Sequence, residues 1–178
     1  VKHTILEAAL PRLAADGFTE KTLNTAAATA DVDAPTVMRL FPNGELDLAD
    51  VFSEWADDAM EAALKKTPLS EMKNRERIKS AVSARIGVLR PHKEAARRAA
   101  AFLTLPQNAS TAMKLLYRTV DRMWRLAGDT STDFNFYTKR LILAGVYSST
   151  MLRWFNDASE GEKSTFEFLD ARIENVMQ

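Results

Sequence analysis

The chain has 178 residues, with 24 basic and 24 acidic side chains, so no net charge draws it as a whole toward nucleic acid or an anionic membrane. It contains no cysteine, which excludes disulfides, thiolate catalysis and thiolate metal sites and fits a reducing compartment. Its length suffices to bury a core, as one domain or one domain with a small appended bundle; its longest nearly apolar run, Leu141 to Tyr147, is far too short to span a bilayer.

Nearly every segment reads as helix. Ile5, Leu6, Ala9, Leu10 and Leu13 share one apolar face, and Asp16-Gly17 ends that helix. Thr22 is placed to cap a short second helix, Leu23 to Ala30. After the Asp31-Val32-Asp33 turn, a third helix opens at Asp33 or Ala34 and runs to Phe41. Asn43-Gly44 is a break. A longer helix follows from Glu45 to about Lys66, with Leu48, Val51, Phe52, Trp55, Ala59 and Ala63 as its stripe. The next runs from the Pro68 and Ser70 punctuation to Arg90, and a shorter one reaches Leu105 before Pro106. Met113, Leu116, Val120, Met123 and Ala127 step by three and four along the following helix. Another begins near Asp133 and is apolar around most of its circumference, a pattern that predicts burial on every side. The last shows Phe166, Leu169, Ile173 and Val176 on one face. No strand pattern or repeat appears, so the expected fold is all-α.

The segment from Ile5 to Phe41, with Asp16-Gly17-Phe18-Thr19 closing its first helix and Val37-Met38-Arg39-Leu40-Phe41-Pro42 its third, resembles the TetR-type helix-turn-helix. The resemblance implies a TetR-like helical bundle, with residues 1–44 as the helix-turn-helix region and 45–178 as a ligand and dimerisation bundle. Its charges argue against DNA reading. Through Glu61 there are four cations against twelve anions, a net of −8, whereas a DNA-binding face needs cations to displace counterions from phosphates. The third helix offers only Thr36 and Arg39 as polar readers, and Asp31 and Asp33 would meet the phosphates. Nucleic acid is therefore not an expected partner. Met72 to Ala100 reverses the sign, with nine cations against two anions. An ordinary solvated face is the favoured explanation; an approach to anionic headgroups or an acidic partner is the other.

Trp124 to Arg140 reads Trp-Arg-Leu-Ala-Gly-Asp-Thr-Ser-Thr-Asp-Phe-Asn-Phe-Tyr-Thr-Lys-Arg. Ser131 or Thr132 is placed to cap the next helix, and Asp133 favours its positive end. Phe134 and Phe136 lie two apart and diverge by roughly 200° on a helix, so one enters the core and the other approaches the surface beside Tyr137. From the residues alone, three core aromatics and an exposed binding patch are equally good readings. Upstream stand Leu105-Pro106-Gln107-Asn108 and Val120-Asp121-Arg122-Met123-Trp124; downstream stand Phe166, Phe168-Leu169 and Arg172. These motifs, in this order from about Leu103 onward, resemble the accessory-protein family of coenzyme Q biosynthesis known in eukaryotes as Coq nine.

That resemblance implies a non-enzymatic, lipid-binding protein that presents a polyprenyl intermediate to the di-iron demethoxyubiquinone hydroxylase. It implies a partner patch at Asp121, Met123, Phe136 and Tyr137, although the family usually has Trp where Phe136 stands. Phe keeps the apolar anchor and lacks the indole donor. It also implies a helix-enclosed space for a polyprenyl quinone intermediate or a phospholipid. Met113, Leu116, Val120, Trp124, Leu141, Val146, Tyr147, Met151 and Phe155 are placed to line it; singly, each reads as core.

Neither His3 nor His92 belongs to a Glu-x-x-His pair, there is no phosphate loop or nucleophile elbow, and His92 is expected at the surface. No cofactor and no metal are expected. A homodimer is, because the helix near Asp133 and the last helix resemble the TetR dimerisation pair. No targeting segment is visible after Val1, so the expected location is cytoplasmic, at most peripheral to the inner membrane, or the mitochondrial matrix if a presequence has been removed. The family's amphipathic membrane-docking helix would follow Gln178. A TetR-type regulator sensing a hydrophobic effector is the alternative, with Thr36 and Arg39 as its readers.

Overall fold

The computed structural model describes residues 1–129 and 134–176, except the side chain of Phe134. Among them there are nine α-helices and no strand: α1 Lys2–Asp16, α2 Glu20–Thr29, α3 Ala34–Leu40, α4 Glu45–Leu64, α5 Asn74–Leu89, α6 Lys93–Leu103, α7 Ala109–Leu126, α8 Phe134–Phe155 and α9 Lys163–Val176. Short 3₁₀ turns precede α5, α6, α7 and α9. Two compact units result, one of residues 1–56 and 89–115, the other of 57–88 and 116–178. The region 1–44 lies wholly in the first.

In the first unit α1 buries Ile5, Leu6, Ala9 and Leu13, as its spacing predicts. It ends at Gly17, whose φ of 74° favours glycine and whose N–H donates to the Leu13 carbonyl. Arg98 donates to the neighbouring Ala15 carbonyl at 3.1 Å, so this residue of the basic stretch satisfies a helix end. The second helix starts earlier than expected. Thr19, not Thr22, is its cap, accepting from the Thr22 N–H at 3.1 Å, while Thr22 is buried one turn inside. Two threonines three apart offer the same capping chemistry, and the backbone selects the one before the turn. Asp33 caps α3 by accepting from the Thr36 N–H at 2.9 Å; these hydrogen bonds from Thr36 hold its carboxyl below the ordinary range. The interior is aromatic. Phe18 packs against Phe52 and Phe102 at 5.9 and 6.0 Å, and Trp55 lies near-parallel to Phe52. His92, expected at the surface, is half-buried with its ring edge-on to Trp55 at 5.4 Å.

The second unit buries Met60, Leu64, Ile78, Val82, Ile86, Val120, Met123, Leu143, Val146, Trp154, Leu169 and Ile173. Two expectations change here. Ala63 is exposed, and Leu64 takes the buried place on the α4 stripe. Likewise α8 is not covered on every side: Tyr137, Leu141 and Leu152 stand out along one face, with Gly145 also exposed between them. Asp157 precedes α9 and accepts from the backbone and hydroxyl groups of Ser159 and Thr165, which holds its carboxyl far below the usual range.

Candidate functional site

The last turns of α7 and the first turns of α8 bring the 124–140 segment together around Arg140. Its guanidinium is almost wholly buried, with Nε donating to Asp121 Oδ1 at 2.7 Å and Nη1 to Asp129 Oδ2 at 3.0 Å. Nη1 also reaches the Phe136 carbonyl at 3.1 Å, and the planar group lies 3.6 Å from the centre of the Phe136 ring. A planar cation with five donors serves two carboxylates, a carbonyl and a ring face at once, which a lysine cannot do. Burial pulls the guanidinium's pKa down, but hydrogen bonds and charge from Asp121 and Asp129 outweigh it and leave it raised. Burial likewise raises Asp121, yet Arg140 and Arg125 prevail and hold it below the carboxylate range.

Around this clamp, Trp124 Nε1 donates to the Lys139 carbonyl at 3.0 Å, and the Lys139 ammonium bonds Asp129 at 2.9 Å. The Arg140 face fixes Phe136, which in turn sets Tyr137 edge-on at 5.1 Å. Tyr137 is 67% exposed. The result is an apolar ring pair presented on a rigid base, the form of an interface anchor.

The structure places the expected partner residues unevenly. Tyr137 is at the surface and Phe136 half-buried beneath it; Asp121 is largely committed to Arg125 and Arg140. Met123 is a correction. It is fully buried and belongs to the core, because its position on α7 falls on the same inner stripe as Val120 and Ala127. The capping roles of Ser131, Thr132 and Asp133, and the side chain of Phe134, lie outside the described residues.

A second cluster was not foreseen. Asp57, fully buried on α4, accepts from Arg85 Nε and from the Thr119 hydroxyl, both at 2.9 Å. Arg85 Nη1 donates to the Tyr147 hydroxyl at 2.7 Å. Burial works against the Arg85 charge, but Tyr147 and Asp57 compensate and leave its pKa raised. Burial pushes the Tyr147 hydroxyl up. Arg85 falls in the Met72–Ala100 stretch read as a solvated face, and Asp57 among the anions counted through Glu61. The available signal was position: Asp57 sits between Ala56 and Met60, and Arg85 between Val82 and Ile86, on otherwise apolar stripes.

Among the described residues no group of three or more His, Cys, Asp or Glu side chains could hold a metal ion, and no helix is long and apolar enough to cross a membrane. Of the two DNA readers, Arg39 is exposed and Thr36 half-buried, while Met38, next to Arg39, stands 73% exposed.

Comparison with known proteins turns on the C-terminal part. Residues 109–178 match the sequence model of the COQ9 family. The ubiquinone biosynthesis protein COQ9, mitochondrial, of Rattus norvegicus is 33% identical over 183 aligned residues, covering 99% of this chain and 59% of that protein. The chain is similar in sequence to the COQ9 proteins over nearly its whole length. The Homo sapiens protein is 31% identical over 99% of the chain and 58% of its own length, so the chain spans about three-fifths of the curated relatives it matches. A TetR transcriptional regulator from Nitrosomonas europaea aligns over 99% of this chain and 97% of its own with a TM-score of 0.75 and 18% identity. That likeness establishes a TetR-like fold. The Arg140 clamp lies inside the COQ9-matching region.

Within that region the expected lipid-lining residues separate. Val120, Trp124, Val146, Tyr147, Met151 and Phe155 are buried, and Leu116 half-buried. Leu141, in the same region, and Met113 cannot line an enclosed space as they stand, being 75% and 63% exposed on the outer faces of α8 and α7. Helical periodicity marks an apolar residue but not which apolar face turns inward.

Proposed function

We propose that this chain serves ubiquinone biosynthesis as a lipid-binding accessory protein that presents a polyprenyl intermediate to the di-iron demethoxyubiquinone hydroxylase. Tyr137 carries the reading: an exposed aromatic on Phe136, itself braced by a buried arginine, in a chain aligned with COQ9 proteins over 99% of its length. An exposed ring costs solvation, and two ion pairs hold it in place; such a preorganised anchor suits docking. The polyprenyl tail would enter between the buried Val120, Val146, Met151 and Phe155, which repack readily because methionine adapts to irregular shapes. We further propose a homodimer through the α8 face carrying Leu141 and Leu152, where Gly145 has nothing within 4 Å of an added Cβ and so admits a close neighbour.

Its working location would be the cytoplasm, at most peripheral to the inner membrane, or in a eukaryote the mitochondrial matrix, the COQ9 relatives being named mitochondrial. The alternative of a DNA-reading regulator is favoured by the fold alone. A front end of −8 through Glu61 opposes it.

Mass spectrometry of an organic extract from gently purified protein tests the lipid. A polyprenyl quinone or phospholipid near one per chain is expected. An empty extract overturns lipid carriage and moves operator selection to the front.

A further inference from the structure

Phe168, half-buried on α9, carries two arginines on one ring. The guanidinium carbon of Arg153, from the end of α8, stands 4.9 Å from the ring centroid, and that of Arg172, one turn further along α9, stands 5.4 Å from it. Both arginines are exposed. Among the described residues neither makes an ion pair or a hydrogen bond. The acids of α9 are engaged elsewhere or turned away. Glu167 pairs with Lys163 at 3.8 Å, Asp170 pairs with Lys79 at 2.6 Å, and Glu174 diverges from Arg172 by roughly 200° around the helix.

Other exposed or half-buried arginines of this unit are neutralised: Arg122 and Arg125 on α7 meet carboxylates at 2.6 and 2.8 Å. Arg153 and Arg172 have a ring in place of a carboxylate. Each such contact is worth about 0.5–1 kcal/mol at an exposed site and restrains a long side chain. The planar forks are thereby held with their donors unspent. One shared ring keeps the two charges within about 10 Å, close to a Debye length at physiological salt, so they repel each other and jointly attract an anion. Two cations are too few for a nucleic-acid strand or an anionic membrane, whose binding sums over many basic residues. They match two carboxylates.

We propose that Arg153 and Arg172 form a docking site for an acidic helix of a partner protein, each guanidinium fork taking one of two carboxylates set one helical turn apart. Side chains at that spacing lie roughly 5–6 Å apart at their β-carbons, which the two forks can straddle. The site is separate from the aromatic anchor, since Arg153 follows Tyr137 on α8 by roughly 24 Å along the axis.

The test follows the Nε–Hε resonances of Arg153 and Arg172 by ¹H–¹⁵N correlation spectroscopy of the full chain. The probes are two capped, alanine-based helical peptides of about 20 residues, each with two glutamates, spaced i,i+4 in one and i,i+2 in the other, together with a short oligothymidylate and inorganic phosphate. The i,i+4 peptide is expected to shift both resonances to saturation and to bind at least about threefold more tightly than its isomer of equal charge. Arg153→Gln combined with Arg172→Gln should weaken it by about tenfold or more. Phe168→Leu leaves the charge unchanged, frees the forks and should weaken it by about threefold. Still resonances, or equal binding by the double variant, overturn the site. Equal binding of the two peptides overturns the helical spacing, and an unchanged affinity in Phe168→Leu overturns the part given to the ring. Binding of oligothymidylate or phosphate as tight as the i,i+4 peptide overturns the protein partner in favour of a phosphate ligand.

Discussion

In the first unit the interior is aromatic and aliphatic. Phe18, Phe52 and Phe102 meet ring to ring, and Thr22 and Asn108 are the buried polar side chains among its described residues. In the second, three charged residues lie inside among those described: Asp57, Arg85 and Arg140. The two interiors answer to different rules. An apolar core tolerates replacement by other apolar side chains of similar volume at modest cost, because dispersion and burial are non-directional. A buried charge holds only while its partners stand within hydrogen-bond reach, and once a partner is lost the remaining charge is stranded in a poor solvent. The first unit is therefore shaped to be stable, the second to keep particular side chains in particular places. The presented aromatic pair belongs to the second.

Breaking the inner pair tests this contrast most strongly. Arg85→Ala should cost about 3–5 kcal/mol in urea unfolding, since it strands Asp57 in the core. Arg85→Met combined with Asp57→Leu should recover most of that loss. A single-variant cost below about 1 kcal/mol would end the distinction between the two units.

At the clamp, Phe136→Ala should destabilise by about 1 kcal/mol by removing the ring face from Arg140, whereas Tyr137→Ala should change stability by less than about 0.5 kcal/mol. Thermal melts of the two variants, side by side, separate the brace from the anchor. Acid provides a subtler probe. Because Asp121 is held below its ordinary value of 3.8, its ion pairs contribute fully above that pH and are lost as pH falls through the lower folded value. The urea midpoint should drop below pH 4 more steeply in the wild type than in Asp121→Asn; parallel curves would contradict the role given to Asp121. The smallest effect is expected in the first unit, where Lys114→Ala removes an exposed pair with Asp50 and should shift stability by less than about 0.5 kcal/mol.

Periodicity and caps made the helices legible. The stripe of Ile5, Leu6, Ala9 and Leu13 and the Asp16-Gly17 stop needed only local chemistry, and the motifs around Trp124 pointed to the family. What stayed hidden depends on partners distant in sequence. Arg140 looks like any helical arginine until Asp121 and Asp129 arrive from the preceding helix and its C-terminal turn. Asp57 and Arg85 look like surface charges until they meet each other 28 residues apart. The outward turn of Leu141 and Met113 was invisible for a related reason: composition says that a residue is apolar, and only packing says against what.

Calorimetric titration of the di-iron demethoxyubiquinone hydroxylase with wild-type chain and with Tyr137→Ala tests the central claim most directly. Saturable binding that weakens by about tenfold or more in the variant, with an unchanged circular dichroism spectrum, is the predicted result. Equal affinity for both proteins, or none for either, would contradict the assignment of this surface as the docking anchor.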